Sequence, residues 1–263
     1  MRRLISLTTD FGVKDPFVGE MKAVIFSICP EVNVIDITHE VERFNIRMGA
    51  FLLASATSCF PTGSIHVAVV DPGVGGERRP IALETNRSLY VGPDNGLLIP
   101  AATREGIRHA YELTNRSLMR DSISSTFHGR DIFAPVAAHL ASGLAPKEVG
   151  EEITDYVPLA LVGPKFERRG VSCEVFYIDS FGNVVTNIPE KFRGRVNLNR
   201  RITVTLRGKR FSARLVRTYS ELRKGELGVL VGSHGFFELA CRETSAVRRI
   251  GARIGDPLRV RGA

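Results

Sequence analysis

Asp71, Arg78 and His128 combine a carboxylate, a cation and a proton acceptor at the ends of predicted elements. Asp71 directly follows the apolar run Ile65–Val70, and Arg78 ends the glycine-rich turn that begins there. His128 lies beside a glycine ahead of a predicted helix, and unperturbed imidazole titrates near ~6.5. Together these groups form a possible triad for acid–base chemistry, with a carboxylate, a cation and a base. The sequence leaves open whether His128 or Asp71 is the base.

Further polar side chains follow a predicted strand or flank a turn, where a small molecule could bind. Asp10 ends the first predicted strand, and in open α/β sheets ligands bind beyond the carboxyl ends of strands. A carboxylate there could hold a ribose diol, a metal ion or a proton. In the second half, Asp179 and Asn183 flank a glycine turn, and the Asn183 amide offers the donor and acceptor that match a purine edge. Phe181 in the same turn could cover a ring.

The first 160 residues alternate predicted strands and helices, which is typical of a layered α/β domain. The predicted strands are Leu4–Thr9, Val32–Ile37, Ile65–Val70, Ile81–Glu84 and Leu89–Val91. Apolar residues at helical spacing predict one helix that starts at Asp15-Pro16, capped by Asp15, and others over Asn45–Cys59 and Arg130–Ser142. Since the run Ile65–Val70 is apolar on both faces, we expect a mostly parallel central sheet.

The pattern of the chain changes around residues 158–170. Proline, glycine and a charged cluster predict a linker over residues 161–170, between domains 1–160 and 171–263. Beyond it, apolar and polar residues alternate, as in half-buried antiparallel strands. The predicted strands are Ile202–Leu206, Phe211–Leu215, Leu227–Val231, Phe236–Ala240 and Leu258–Val260. Short strands of this kind indicate a small β-barrel or sandwich.

The composition is that of a globular protein. Apolar residues make up 43% of the chain and charged residues 24%, which argues against intrinsic disorder and a coiled coil. No stretch approaches the ~20 uninterrupted apolar residues of a membrane helix. The N-terminal apolar run is too short for a signal peptide, so we expect a cytoplasmic protein. The four cysteines include no Cys-x-x-Cys pair, and we expect neither disulfides nor a structural zinc site.

Positive charge is concentrated in the second half of the chain. Residues 161–263 carry 21 basic and 9 acidic side chains, a net charge of +12, against −4 for residues 1–160. This asymmetry makes a nucleic-acid-binding module an alternative function. However, the basic residues are scattered through the predicted hairpins, with few aromatic residues between them for base stacking. We therefore favour a solvated surface and expect no nucleic-acid partner.

Six motifs that occur in one order resemble those of the S-adenosylmethionine (SAM) hydroxide adenosyltransferases, relatives of the SAM-dependent fluorinase and chlorinase. They span nearly the whole chain and are Thr9–Gly12, Phe60–Gly63, Val70–Gly75, Gly92–Leu97, Thr126–Asp131 and Asp179–Val184. The resemblance implies an N-terminal α/β domain that binds SAM, followed by a C-terminal β-barrel. It also implies a homotrimer whose active sites lie between neighbouring subunits.

The resemblance further implies a reaction and a role for each matching residue. SAM would be the substrate, cleaved at the ribose C5′ to adenosine and methionine without a cofactor or a metal. Asp71, Arg78 and His128 match the family's water-activating triad. The matches for substrate binding are Asp10 for the ribose hydroxyls, Phe44 for covering the nucleoside, Phe181 and Asn183 for adenine, Asp179 for the methionine ammonium group and Ser233 for its carboxylate.

Two other enzyme activities remain alternatives. One is a SAM-dependent halogenase, but the halogenating branch lacks an ionisable Asp–Arg–His set and has a serine where this chain has Gly129. The fluorinase also carries an inserted loop, whereas the segment Arg78–Tyr90 is short here. The other is a metal-dependent hydrolase built on Asp10, Asp71, Asp94 and His128, for which the sequence offers no His-x-x-x-His pair.

Overall fold

The computed structural model describes residues 4–159, 163–168, 170–194 and 201–262. The chain divides into two compact units, Met1–Ala160 and Leu161–Ala263, each with its own hydrophobic core. Within the predicted linker, residues 161, 162 and 169 lie outside the described residues, and Lys165–Glu167 form a strand, β7. In the described ranges, no helix has the length and apolar character needed to cross a bilayer.

A six-stranded sheet forms the centre of the first unit. Its strands are β1 (Leu4–Thr9), β2 (Asn33–Thr38), β3 (Ile65–Val69), β4 (Pro80–Thr85), β5 (Leu89–Pro93) and β6 (Ile107–Glu112). They lie in the order β2-β1-β3-β5-β4-β6. The first four in this order are parallel, and β4 is antiparallel to both of its neighbours. The prediction of a mostly parallel α/β sheet is therefore confirmed.

Four helices pack with this sheet, and a loop follows the carboxyl end of each of the strands β1 and β3. The helices are α1 (Phe17–Ile28), α2 (Ile46–Ala56), α3 (Ile99–Glu105) and α4 (Ala134–Ala141). α1 packs against α4 in the core that includes Ile5, Leu7 and Val67, whereas α2 packs against α3. The loop after β1 begins with Asp10, and the loop after β3 carries Asp71.

Two predicted helix ends are wrong. Pro16 takes the N-cap position that was predicted for Asp15, and Asp15 makes no capping hydrogen bond within the described part of the chain. The predicted helix Asn45–Cys59 is too long, since α2 ends at Ala56 and Thr57–Cys59 form a single 3-10 turn.

The predicted helix Arg130–Ser142 is divided into two elements. A π-helical turn, Gly129–Phe133, precedes α4. Pro135 has no N–H, so the carbonyl of Asp131 cannot accept the usual helical hydrogen bond from it. That carbonyl instead accepts from the N–H of Arg120, at 3.1 Å. The π turn begins directly after His128, and such turns frequently occur at functional sites.

A closed seven-stranded barrel forms the second unit. Its elements are β8 (Gly170–Ile178), β9 (Val184–Pro189), β10 (Arg201–Leu206), β11 (Lys209–Leu215), β12 (Leu227–Val231), β13 (Phe236–Cys241), the helix α5 (Ala246–Ile250) and β14 (Pro257–Gly262). The strands follow the order β14-β10-β11-β12-β13-β9-β8, and the pairing of β14 with β8 closes the ring. β7 pairs with β8 outside this ring. The predicted C-terminal β-barrel is confirmed.

Several basic side chains of the second unit pair with carboxylates. Arg207 lies 2.7 Å from Asp256, and Arg259 contacts Glu167. These ion pairs neutralise some of the basic side chains locally, and the net charge of +12 already counts their carboxylates. The expectation of no nucleic-acid partner stays a prediction.

Candidate active site

Asp71, Arg78 and His128 form one hydrogen-bonded cluster in the first unit. The Nε atom of Arg78 donates to both carboxylate oxygens of Asp71, at 3.0 and 2.9 Å. A terminal nitrogen of the same guanidinium lies 2.8 Å from Nδ1 of His128. The side chains of Arg78 and Asp71 are almost fully buried. The structure thus brings together the three residues predicted to activate water.

The contact with Arg78 defines the protonation of His128. A guanidinium carries only N–H donors, so Nδ1 accepts and the neutral ring holds its proton on Nε2. Burial lowers the pKa of His128 below its ordinary value of 6.5, and the positive charge of Arg78 lowers it further. At neutral pH the imidazole is therefore uncharged. It can donate through Nε2, while the lone pairs that can still accept belong to Asp71.

Gly75 allows the turn after β3 to approach the segment that carries His128. Its φ is +75°, and a Cβ atom at this position would clash with the carbonyl oxygen of Ser125. Only glycine combines this backbone conformation with such close packing. The distance between Asp71 and His128 therefore depends on a residue that has no side chain.

Asp131 holds in place the loop that carries His128. Its buried carboxylate accepts from the N–H of Ser124 at 2.8 Å and from Nε of Arg130 at 2.7 Å. Burial opposes ionisation, but the hydrogen bonds from Arg130 and Ser124 outweigh it and hold the pKa of Asp131 below its usual value. The two ends of the loop that contains His128 are thereby tied together.

Asp10 and Phe44 are also adjacent in the first unit. Oδ2 of Asp10 accepts a hydrogen bond from the backbone N–H of Phe44, at 2.9 Å. Phe44 has a φ of +64°, in the left-handed region that costs non-glycine residues about 1–2 kcal/mol. Its side chain is 68% exposed. The Asp10 carboxylate therefore stabilises a strained backbone that presents an aromatic ring.

A cavity of about 380 Å³ joins these two groups of residues. Its lining includes Asp10, Phe44, Asp71, His128 and Gly129, together with the aromatic residues Phe11, Phe17 and Phe127. The last three rings contact one another edge to face, with centroids 5.2–5.8 Å apart. The cavity combines an apolar wall with a few converging polar groups, as small-molecule sites do.

The turn between β8 and β9 groups three predicted binding residues of the second unit. The carboxylate of Asp179 accepts from the N–H groups of Phe181 and Asn183, at 3.0 and 2.8 Å. It also accepts from the side-chain nitrogen of Asn183, at 2.9 Å. The Asn183 amide oxygen is thereby turned away from Asp179. The ring of Phe181 is 80% exposed and could stack on a flat ligand.

Ser233 lies exposed in the turn between β12 and β13, near a buried carboxyl group. That group belongs to Glu238, which is 5% exposed and accepts a hydrogen bond from the Tyr219 hydroxyl at 2.5 Å. A Cβ atom on Gly232 would clash with the other carboxyl oxygen of Glu238. Burial raises the pKa of Glu238 above its ordinary value, and the charge of Asp179 adds to this rise. The hydrogen bond from Tyr219 acts in the opposite direction but does not cancel the effect of burial.

The residues of the metal alternative are engaged by other groups. Arg78 donates to both oxygens of Asp71, while Asp94 accepts from Arg79 at 2.9 Å and from the N–H of Val157 at 2.7 Å. Across the described ranges, no three or more His, Cys, Asp or Glu side chains are grouped so that they could hold a metal ion.

The sequence matches two domains of one protein family. Residues 5–150 match the SAM hydroxide adenosyltransferase N-terminal domain, and residues 173–259 match the corresponding C-terminal domain. The chain belongs to the SAM hydroxide adenosyltransferase family. A relative from Salinispora tropica, named (R)-S-adenosyl-L-methionine hydrolase, is 42% identical, and the match covers 97% of each chain.

Two further comparisons bear on the breadth of this family. A fluorinase from Nocardia brasiliensis is 26% identical, with 99% of this chain and 97% of that protein covered. A crystal structure of an uncharacterized conserved protein from Thermotoga maritima has a TM-score of 0.92 and 40% identity, and covers 97% of this chain and 99% of that one. The fold of the Thermotoga maritima protein therefore extends over almost the full chain.

The structure gives a supporting role to three residues for which the sequence predicted none. Gly75 lies in a predicted turn, but its packing partner Ser125 is distant in the chain. Asp131 lies in a predicted helix, and Glu238 lies in a predicted strand. For Glu238 the sequence signal is a charged residue among apolar neighbours, which indicates a buried carboxylate with partners.

Proposed function

We propose that this chain hydrolyses S-adenosyl-L-methionine to adenosine and L-methionine, with water attacking the ribose C5′ carbon. The hydrogen-bonded cluster of Asp71, Arg78 and His128 at the cavity carries the proposal, because it offers water an acceptor and donors together. The name of the Salinispora tropica relative, a SAM hydrolase 42% identical to this chain, supports the same substrate and reaction.

The predicted binding residues would contact two parts of SAM, the nucleoside and the amino acid. Asp10 would accept hydrogen bonds from the ribose hydroxyls, and Phe44 beside it would cover the nucleoside. Asn183 would offer its amide oxygen to adenine and Phe181 its ring. At the amino-acid end of SAM, the ammonium group would meet Asp179 and the carboxylate would meet Ser233.

The reaction needs an activated nucleophile more than an acid. The oxygen of water forms a bond to C5′ while the C5′–S bond breaks. The electron pair of the C5′–S bond stays on sulfur. The sulfonium leaves as a neutral thioether, so methionine requires no proton on sulfur. Water is a weak nucleophile at neutral pH, and it must lose one proton as the new C–O bond forms.

Within the cluster, we infer that Asp71 takes this proton. Nδ1 of His128 already accepts from Arg78, so protonation of the ring would break that hydrogen bond. His128 would instead donate through Nε2 and orient the attacking oxygen, while Arg78 holds both partners at fixed positions. When the reactants enter the site they lose their hydration, and such preorganised polar groups replace it.

The oligomer and the location are also part of the proposal. The family resemblance implies a homotrimer with active sites between neighbouring subunits, and we propose a cytoplasmic location. Light scattering during gel filtration tests the trimer through its mass. A monomer that is fully active would contradict this part of the proposal and leave the reaction untouched.

Incubation with SAM in oxygen-18 water, followed by mass analysis of both products, tests the reaction. We expect one label in adenosine and none in methionine, since the oxygen attacks C5′. Label in any other product, or no release of adenosine, would overturn the proposal. Parallel incubations with chloride or fluoride test the halogenase alternative, for which a 5′-halogenated nucleoside would be the product.

A further inference from the structure

A chain of polar contacts runs from the surface of the first unit to the end of β1. Lys22 Nζ lies 2.6 Å from one oxygen of Asp36, and Nε2 of His39 lies 3.1 Å from the other. Nδ1 of His39 is 2.8 Å from the hydroxyl oxygen of Thr9. Both His39 and Thr9 are buried, so their polar atoms depend on partners within the protein.

The same chain continues into the backbone around Asp10. The hydroxyl oxygen of Thr9 accepts a hydrogen bond from the N–H of Phe11, at 3.3 Å, and so spans Asp10. Two backbone hydrogen bonds fasten this turn to the segment that contains His39. The N–H of Gly12 donates to the carbonyl of His39 at 2.7 Å, and the N–H of Val41 donates to the carbonyl of Thr9 at 3.3 Å.

An irregularity in the sheet brings His39 to this position. The pairing of β1 with β2 shifts register between Leu7 and Thr8, opposite Asp36 and Thr38. Such a bulge re-aims the side chains that follow it. Beyond the bulge, the chain passes His39 and reaches Phe44, whose N–H donates to Asp10.

We propose that His39 is a positioning residue for the substrate, acting through Thr9 on Asp10 and Phe44. It does not line the cavity, whereas Asp10 and Phe44 do. His39 and Thr9 would hold the end of β1 so that the Asp10 carboxylate faces the ribose and keeps its hydrogen bond to Phe44. This inference rests on the proposed function only for the identity of the bound sugar.

Paired variants separate the two contacts of His39. Thr9→Val removes the hydroxyl, whereas Thr9→Ser keeps it. In His39→Gln the longer amide side chain can contact Asp36 but not Thr9. In His39→Asn the shorter amide side chain can contact Thr9 but not Asp36. Thr8→Val is the matched control, because Thr8 is also buried in β1 and its hydroxyl makes no hydrogen bond within the described residues.

The measurements are kcat and KM for adenosine release, and hydrogen exchange at the amide of Phe44. Loss of one buried hydrogen bond should raise KM about fivefold to tenfold in Thr9→Val and His39→Gln. In the same variants we expect kcat to stay within about twofold and the Phe44 amide to exchange faster. Thr9→Ser, His39→Asn and Thr8→Val should keep the wild-type KM and exchange.

The outcomes distinguish this inference from the proposed function. If the wild-type protein releases no adenosine, the proposed function fails, and faster exchange at Phe44 in Thr9→Val would still support the positioning role. If the wild type is active while Thr9→Val keeps both its KM and its exchange rate, the positioning role is wrong. It is also wrong if Thr9→Val raises KM as much in an Asp10→Ala background, since the effect must pass through Asp10.

Discussion

One terminal nitrogen of Arg78 donates to Nδ1 of His128, 2.8 Å away, while Nε of the same guanidinium donates to Asp71. A single rigid cation therefore joins the two residues that could exchange a proton with water. Because a guanidinium has no acceptor and does not deprotonate, no proton passes between Asp71 and His128 through it. The arrangement holds one residue as a proton acceptor and the other as a neutral donor.

Removal of the Arg78 cation should raise the pKa of His128. Burial is the larger cause of the lowered pKa, and the charge of Arg78 is the second, so Arg78→Met should return the pKa part of the way toward 6.5. As pH falls, the variant should become protonated, and lose its residual kcat/KM, at a higher pH than the wild type. NMR titration of the His128 ring protons measures the shift. Arg79→Met, which removes a cation that pairs with Asp94 and Asp155, is the control and should leave the titration of His128 unchanged.

Loss of either water-activating group should slow the reaction without preventing binding. Removing a general acid–base group typically costs about a hundredfold or more in rate. We therefore expect Asp71→Asn and His128→Ala each to lower kcat by about that factor, while calorimetry still detects binding of SAM. Turnover equal to that of the wild type in both variants would refute the assigned roles.

The cluster itself could be predicted because its parts follow local rules. Asp71 follows a strand that is apolar on both faces, and side chains at the carboxyl ends of parallel strands meet at one edge of the sheet. His128 lies just outside a helix start. For these residues the sequence pattern and the topology lead to the same place. The resemblance to a family added their roles.

The supporting residues could not be predicted, since their partners are distant in the sequence. Gly75 is needed because of Ser125, and His39 meets Thr9 only after the bulge in β2. The helix α3 was missed for a different reason. Its seven residues carry too weak a helical pattern to be recognised.

Gly75→Ala should disrupt the cluster from a position that touches no substrate. An added Cβ would clash with the Ser125 carbonyl, and the positive φ strains any other residue, so the turn after β3 must move away from His128. We expect kcat to fall by about a hundredfold, because small misplacements of catalytic groups have effects of that size. Gly19→Ala is the control. Gly19 is in α1 with nothing within 4 Å of an added Cβ, and its replacement should leave kcat unchanged.

Phe44 should contribute to binding through its ring and reduce stability through its backbone. Phe44→Ala and Phe44→Gly both remove the ring, so both should raise the KM for SAM. Only glycine relieves the strain of a φ of +64°, and Phe44→Gly should be more stable than Phe44→Ala by about 1 kcal/mol. Urea unfolding of the two variants measures the difference. Equal stability would mean that the Asp10 hydrogen bond, rather than the side chain, determines this conformation.

Glu238 should make the stability of the protein fall as pH rises. Burial raises its pKa above the ordinary value of 4.5, so the folded state binds a proton that the unfolded state releases more easily. The stabilisation is complete below the unfolded pKa and is lost as pH rises through the folded pKa. Glu238→Gln removes this dependence, and its Tm relative to that of the wild type should rise as pH rises above the ordinary glutamate pKa of 4.5. Tyr219→Phe removes the hydrogen bond that lowers the pKa, and should extend the wild-type loss to higher pH. A Tm difference between Glu238→Gln and the wild type that is independent of pH would show that this carboxyl ionises alike in both states.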